Sequence, residues 1–222
     1  MNKPDTTQAV GQFFDGYAAD FDAIYGHTTQ RSAFGRWVDR RFRGVMMRRF
    51  DATLQNTNRE EVQSVLDVGC GSGRYVIAFA KQGKEVIGVD MAEGMLALAQ
   101  KGVDEVGLSE RVTLMAGDYL TTAFDRKFDV ACLMGLFDYI ENPVAVFEKL
   151  AQEVTGEIYA SFPIAGGWLA WQRQVRYRLR RCPLWLYRRE DVVAILDAAG
   201  FEGRYEIQNF ERDWYVTIRL QA

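Results

Sequence analysis

One segment limits what this chain can fold into more than any other: Leu66-Asp67-Val68-Gly69-Cys70-Gly71-Ser72-Gly73. An apolar strand over Ser64 to Val68 runs into a turn with glycine at every second position, and a helix pattern follows from Arg74 to Gln82. Glycines so spaced let the backbone turn tightly and admit a ligand where a Cβ would stand. The following helix aims its unpaired N–H groups at the same place, which favours an anionic or polar ligand group. A second strand, Glu85 to Val89, ends in Asp90, seventeen residues beyond Gly73. An acid there can accept hydrogen bonds from two ribose hydroxyls, as in doubly wound nucleotide-binding folds. The glycines alone discriminate little, but joined to a strand ending in Asp they point to a nucleotide-type ligand.

Periodicity extends this unit into a parallel α/β sheet. Strands are expected at Ser64–Val68, Glu85–Val89, Arg111–Met115, Phe128–Leu133 and Thr155–Ser161. Helices are expected at Arg74–Gln82, Ala92–Lys101, Asn142–Glu153 and Arg188–Ala199, the last with Gly200 as a left-handed C-cap. Gly203–Gln208 and Asp213–Leu220 lie close enough to pair as an antiparallel hairpin. Before the first strand, Phe13, Phe14, Tyr17, Phe21 and Tyr25 suggest a short helix or lid. Arg31 to Leu54 carries apolar residues at helical spacing, and Asn56 to Glu61 reads as a polar linker. The expected division is a lid with cap helices over residues 1–58 and a core over 59–222, with a cap insertion at about 163–187.

Two ligand classes suit the loop, and its details separate them. A dinucleotide site reads G-x-G-x-x-G, whereas here the order is Gly69-x-Gly71-x-Gly73 preceded by Asp67. That carboxylate can hold an ammonium group, which a pyrophosphate would not tolerate nearby. The stretch resembles the first motif of the Rossmann-like, class I S-adenosylmethionine-dependent methyltransferases. Val86-Ile87-Gly88-Val89-Asp90 looks like that family's ribose-binding strand, Met115-Ala116-Gly117-Asp118 like its adenine-binding strand end, and Lys127-Phe128-Asp129-Val130-Ala131 like the start of its fourth strand. The resemblance covers roughly residues 60 to 162, with the four motifs in the family's order. It implies a doubly wound, mostly parallel seven-stranded sheet with a C-terminal antiparallel hairpin and a helical cap. It also implies S-adenosylmethionine as cofactor, S-adenosylhomocysteine as product, and methyl transfer to an oxygen or nitrogen of a small molecule. A nicotinamide-dependent oxidoreductase and a non-catalytic cofactor-binding module stay open as alternatives.

The resemblance assigns cofactor contacts to Asp67, Gly69, Cys70, Gly71, Gly73, Asp90, Met91, Gly117, Asp118, Tyr119, Met134 and Gly135, with Tyr17 and Tyr25 reaching in from the N-terminal stretch. Asp67 and Asp118 also suit plain turn or cap roles, Tyr119 suits packing, and Cys70 is read as a small loop residue rather than a reactive thiol. After the fourth strand, Leu133-Met134-Gly135-Leu136-Phe137-Asp138-Tyr139 lies where the family places residues near the transferred methyl. Phe137 suits packing against the adenosine, while Asp138 and Tyr139 are candidates to orient a substrate or take its proton. The bland readings are a core role for Phe137 and Tyr139 and an N-cap role for Asp138. His27, the single histidine, is either a surface residue or a general base delivered by the lid.

Composition restricts the partners. The apolar runs are too short for a membrane span, and Met1 to Gln12 is too polar for a signal peptide. Cys70, Cys132 and Cys182 are scattered and odd in number, which points to a reducing, cytoplasmic setting without disulfide or metal site. Net charge is −3, yet arginine is clustered: Arg31, Arg36, Arg40, Arg41, Arg43, Arg48 and Arg49 in one segment, Arg173, Arg176, Arg178, Arg180, Arg181, Arg188 and Arg189 in another. In the family, segments at these places cover the substrate. Arg36, Arg40, Arg176 and Arg180 are therefore candidates to bind an anionic small-molecule substrate through bidentate contacts. Solvated faces, or peripheral docking on an acidic membrane, are the competing readings. Nucleic acid is disfavoured by the acidic balance and the absence of a recognised binding module. No feature of the sequence sets an oligomeric state.

Overall fold

The structure, a computed structural model, describes residues 47–166 and 184–221. The N-terminal lid and the interior of the cap insertion lie outside the described residues. So do Tyr17, Tyr25, His27, Arg36, Arg40, Arg176 and Arg180.

A helix over residues 47–57 (α1) leads into alternating strands and helices. They are β1 Ser64–Val68, α2 Arg74–Lys81, β2 Glu85–Asp90, α3 Glu93–Glu105, β3 Val112–Ala116, β4 Phe128–Leu133, α4 Pro143–Glu153, β5 Val154–Pro163, α5 Arg189–Ala198, β6 Tyr205–Asn209 and β7 Asp213–Arg219. One seven-stranded sheet runs β3-β2-β1-β4-β5-β7-β6. Its first five strands are parallel, while β7 runs antiparallel to both β5 and β6. The doubly wound sheet and its C-terminal hairpin are thus as expected.

Both faces of the sheet are covered, so β1 and β4 read as nearly continuous apolar runs. Leu66 and Val68 face one core with α4 and α5, through Val146, Phe147, Leu150, Val192 and Leu196. Val65 faces a second core with α2 and α3, through Val76, Phe79, Leu96 and Val103, and α1 adds Ala52 and Leu54. Strand alternation puts Asp67 on the Val65 face, beneath α1 and α2. The winding direction reverses between β1 and β4, the place where open α/β sheets bind ligands at their strands' C-terminal ends.

Several boundaries move. The expected linker at Asn56 begins two residues later, because α1 continues to residue 57. Thr53 and Thr57 are buried there. Thr57 donates to the Thr53 carbonyl at 2.9 Å, and Thr53 shares a 3.1 Å hydrogen bond with the Tyr215 hydroxyl. Polar side chains that look like linker in sequence are satisfied inside the fold. A 3-10 turn at Ser109–Arg111 delays β3 by one residue. Asp138 is not an N-cap: α4 begins with Pro143 in its first turn, after Asn142. Gly200 has φ 82° and ends α5 as expected.

The chain leaves β5 at Pro163 and returns at Tyr187. Ile164 and Tyr187 form a parallel bridge, with the Ala165 N–H on the Tyr187 carbonyl at 2.8 Å and the Tyr187 N–H on the Pro163 carbonyl at 2.9 Å. No helix among the described residues is long and apolar enough to cross a membrane.

Candidate cofactor and active site

The glycine loop is built by packing as much as by turning. Gly69, Gly71 and Gly73 all have positive φ. A Cβ on Gly73 would stand 2.8 Å from the Ala99 Cβ, so α2 can begin against α3 only with glycine there. A Cβ on Gly69 would meet Leu136 Cδ1 at 2.9 Å, which locks the loop against the turn after β4. Both the Gly69 and Cys70 N–H groups donate to the Val89 carbonyl, at 2.8 and 3.2 Å. Asp90 completes the cradle: Oδ2 accepts the Gly71 N–H at 2.7 Å and Oδ1 the Ala92 N–H at 2.9 Å.

Asp67 is the exceptional group. It is 2% exposed, and its Oδ2 has no hydrogen-bond partner. Burial, then the neighbouring Asp90 charge, pushes its pKa up to about 8. Among the described residues only two other buried side-chain polar atoms lack a partner: Tyr75 Oη and Arg49 Nε. The hydroxyl of Tyr75, in the first turn of α2, feels both the Arg49 cation and the Asp67 carboxylate, and it lies beside the guanidinium without forming a hydrogen bond of ordinary geometry.

Arg49 reaches down from α1. Its Nη1 donates to Ser161 Oγ and to Asp213 Oδ2, each at 2.9 Å, with the Arg49 and Asp213 side chains 12% and 14% exposed. Burial works against its charge, but Asp213, Tyr75 and Asp138 together outweigh that and the guanidinium is held firmly protonated. A buried carboxylate and a buried guanidinium, each with an unpaired atom and a free phenol between them, complement a zwitterion. The ammonium would face Asp67 and the carboxylate would face Arg49 and Tyr75. The residues therefore fit the amino-acid end of S-adenosylmethionine.

The remaining expected residues divide. Met91, Gly117 and Asp118 are half-buried at the ends of β2 and β3. Gly117 donates to the Asp90 carbonyl at 3.0 Å, and Asp118 accepts the Leu120 N–H at 2.9 Å, so the turn after β3 is braced against β2 and by its own carboxylate. Met134 packs beside Val65 and Cys70, and Gly135 has φ 83° with open space where a Cβ would be. Cys70 is buried, and burial raises its thiol pKa, so it is a packing residue rather than a nucleophile.

Tyr119 and Phe137 pack in the core, the alternative that the sequence left open for each. Tyr119 turns into the core, where its hydroxyl donates to Glu153 at 2.6 Å and Lys149 lies 5.2 Å from its ring. Phe137 is fully buried and stacked on Phe162 with centroids 4.3 Å apart. Asp138 is buried, its carbonyl accepting the Trp185 N–H at 2.9 Å, and Tyr139 is half-buried one residue on. Tyr75, Ser161 and Asp213 were not anticipated. Arg49 was visible only as one member of an arginine cluster, and the buried pairing that singles it out lies far along the chain.

Residues 65–155 match a family model described as a methyltransferase domain. A ubiquinone biosynthesis O-methyltransferase of Pseudomonas fluorescens is 30% identical over 132 residues, which is 57% of this chain and 57% of that protein. The chain thus spans little more than half the length of that curated relative. Among solved structures, magnesium protoporphyrin IX methyltransferase from Synechocystis with bound SAH aligns at TM-score 0.75 with 22% identity, covering 97% of this chain and 99% of that one. A phosphoethanolamine N-methyltransferase of Haemonchus contortus aligns at TM-score 0.68 and 20% identity, covering 93% of this chain and 46% of that one. These likenesses establish the fold.

Proposed function

We propose that this chain, built around a class I S-adenosylmethionine-dependent methyltransferase domain, transfers a methyl group to an oxygen or nitrogen of a small anionic metabolite. The observation that carries the reading is the pair of buried, incompletely bonded charges, Asp67 and Arg49, beside the glycine loop. Asp67 holds the cofactor's ammonium, Arg49 and Tyr75 its carboxylate, and Asp90 the ribose hydroxyls. The turn at Gly117-Asp118 flanks the adenine, and the glycine loop with Gly135 allows backbone approach.

The cofactor supplies a methyl group already activated on a sulfonium. The protein's work is then to hold the acceptor in line and exclude water. Asp138 and Tyr139, after β4, stand nearest in sequence to that task as orienting or proton-accepting groups, with His27, Tyr17 and Tyr25 contributed from the N-terminal stretch. Arg36, Arg40, Arg176 and Arg180 recognise the substrate's anionic group. The oxygen acceptor draws support from the name of the ubiquinone-pathway relative, and the anionic class from the arginine clusters.

Calorimetry with S-adenosylhomocysteine and with 5′-methylthioadenosine, which lacks the amino-acid end, tests the reading. Arg49→Met should weaken the first by at least roughly tenfold, as expected for losing a charge-assisted contact, and leave the second unchanged. Equal loss for both ligands removes the zwitterion pocket. Tighter binding of a nicotinamide dinucleotide by the wild type overturns the cofactor itself. Release of S-adenosylhomocysteine against fractionated metabolite pools then identifies the acceptor.

A further inference from the structure

We propose that Ser161 is a positioning residue that couples the seating of α1 to the shape of the turn after β4, an inference that rests on the cofactor reading above. Its hydroxyl oxygen is buried on β5 and accepts two hydrogen bonds. One comes from Arg49 Nη1 in α1 at 2.9 Å, the other from the Gly135 N–H at 2.9 Å. The same Arg49 nitrogen donates to Asp213, which faces Pro163 across the β5–β7 pair, just as Tyr215 faces Ser161. Tyr215 in turn meets Thr53 of α1. The helix is therefore seated by two polar contacts on one strip of sheet, and only the Arg49 contact continues into the cofactor site.

The position of Ser161 has a functional meaning because its two donors serve different parts of that site. Arg49, with its unpartnered Nε, meets the ligand's carboxylate on the cofactor reading, while Gly135 sits in a left-handed turn with open space where a Cβ would be. If the Ser161 oxygen is removed, the Gly135 amide is left without its buried acceptor and Arg49 is held by Asp213 alone. A buried donor stripped of its acceptor seeks another, so the turn and the guanidinium lose their common reference point. Ligand held at Arg49 is thereby felt at Gly135, on the side of the cleft where the methyl acceptor must approach.

The test uses the full chain with Ser161→Ala, Ser161→Thr, Arg49→Met and the double Arg49→Met/Ser161→Ala variant. Ser161→Ala should weaken S-adenosylhomocysteine roughly tenfold, the loss expected of a hydrogen bond to a charged group. It should also accelerate amide exchange at residues 134–137 in the ligand-free protein. The double variant should bind no more than about twofold worse than Arg49→Met alone, because both changes break one relay. Ser161→Thr, which keeps the oxygen, should restore binding and protection. A Ser161→Ala protein with wild-type affinity and exchange, but a lower melting temperature, assigns Ser161 to packing and overturns the proposal. So does full additivity in the double variant. A wild type that binds no S-adenosylhomocysteine overturns the cofactor reading instead, and unchanged exchange at 134–137 in Ser161→Ala then still rejects the relay.

Discussion

Asp90 Oδ2 accepts the N–H of Gly71 at 2.7 Å, so the carboxylate that ends β2 also fixes the loop that follows β1. On the proposed reading, one side chain serves ligand and scaffold together. Asp90→Ala should therefore lower S-adenosylhomocysteine affinity by more than roughly tenfold, with two ligand bonds each worth about 1 kcal/mol or more and a loosened loop adding to the loss. Titration calorimetry on both proteins reads this directly. Equal affinities would remove Asp90 from the site.

Asp67 should make the ligand-free protein pH-sensitive. Its folded pKa stands at about 8, above the unfolded value of roughly 4, so between those limits the unfolded chain releases a proton that the folded chain keeps. The contribution to stability is present below about pH 4 and is lost as pH rises through about 8. Asp67→Asn should remove that decline, so the variant's melting temperature should gain on the wild type's over this window. In the same range, binding of S-adenosylhomocysteine to the wild type should strengthen with pH as the carboxylate ionises, and the Asn variant should be flat. Parallel pH profiles for the two proteins would contradict both statements.

Phe137 is predicted to matter for folding rather than for ligand. Its ring stacks on Phe162 with centroids 4.3 Å apart and lies 5.1 Å from Phe147, which is itself 6.1 Å from Phe162. Phe137→Ala should destabilise the protein by about 3 to 5 kcal/mol, the range for emptying an aromatic core position. Urea unfolding should show a lower midpoint with an unchanged slope. At a temperature where the variant remains folded, its cofactor affinity should stay near that of the wild type.

Removing residues 1–30 should leave cooperative unfolding intact, because both described cores are assembled from residue 52 onward. It should nevertheless weaken S-adenosylhomocysteine binding and slow turnover, since the aromatic stretch with Tyr17, Tyr25 and His27 is lost. A shortened protein with full activity would exclude these residues from the site.

The succession of strands and helices and the loop were legible because they depend on local signals: strand and helix periodicity, glycine spacing, and an acid at a strand end. Arg49 was not, because its burial depends on Asp213 at the far end of the chain, and in sequence it looks like any other arginine of its cluster. Asp213 and Ser161 carry no local signal at all; they matter because β7 inserts antiparallel beside β5 and brings them under α1. Tyr119 and Phe137 stayed undecided in the sequence because their packing partners, Glu153 and Phe162, are distant along the chain.

The bridge between Ile164 and Tyr187 gives the excursion from β5 a neck only one residue pair wide. Because the neck belongs to the sheet's own hydrogen-bonding pattern, what hangs from it can change in length and composition without asking the strands to move. On the proposed reading, in which this segment meets the substrate, substrate preference can diverge by exchange of one contiguous stretch while Asp67 and Arg49 stay as they are.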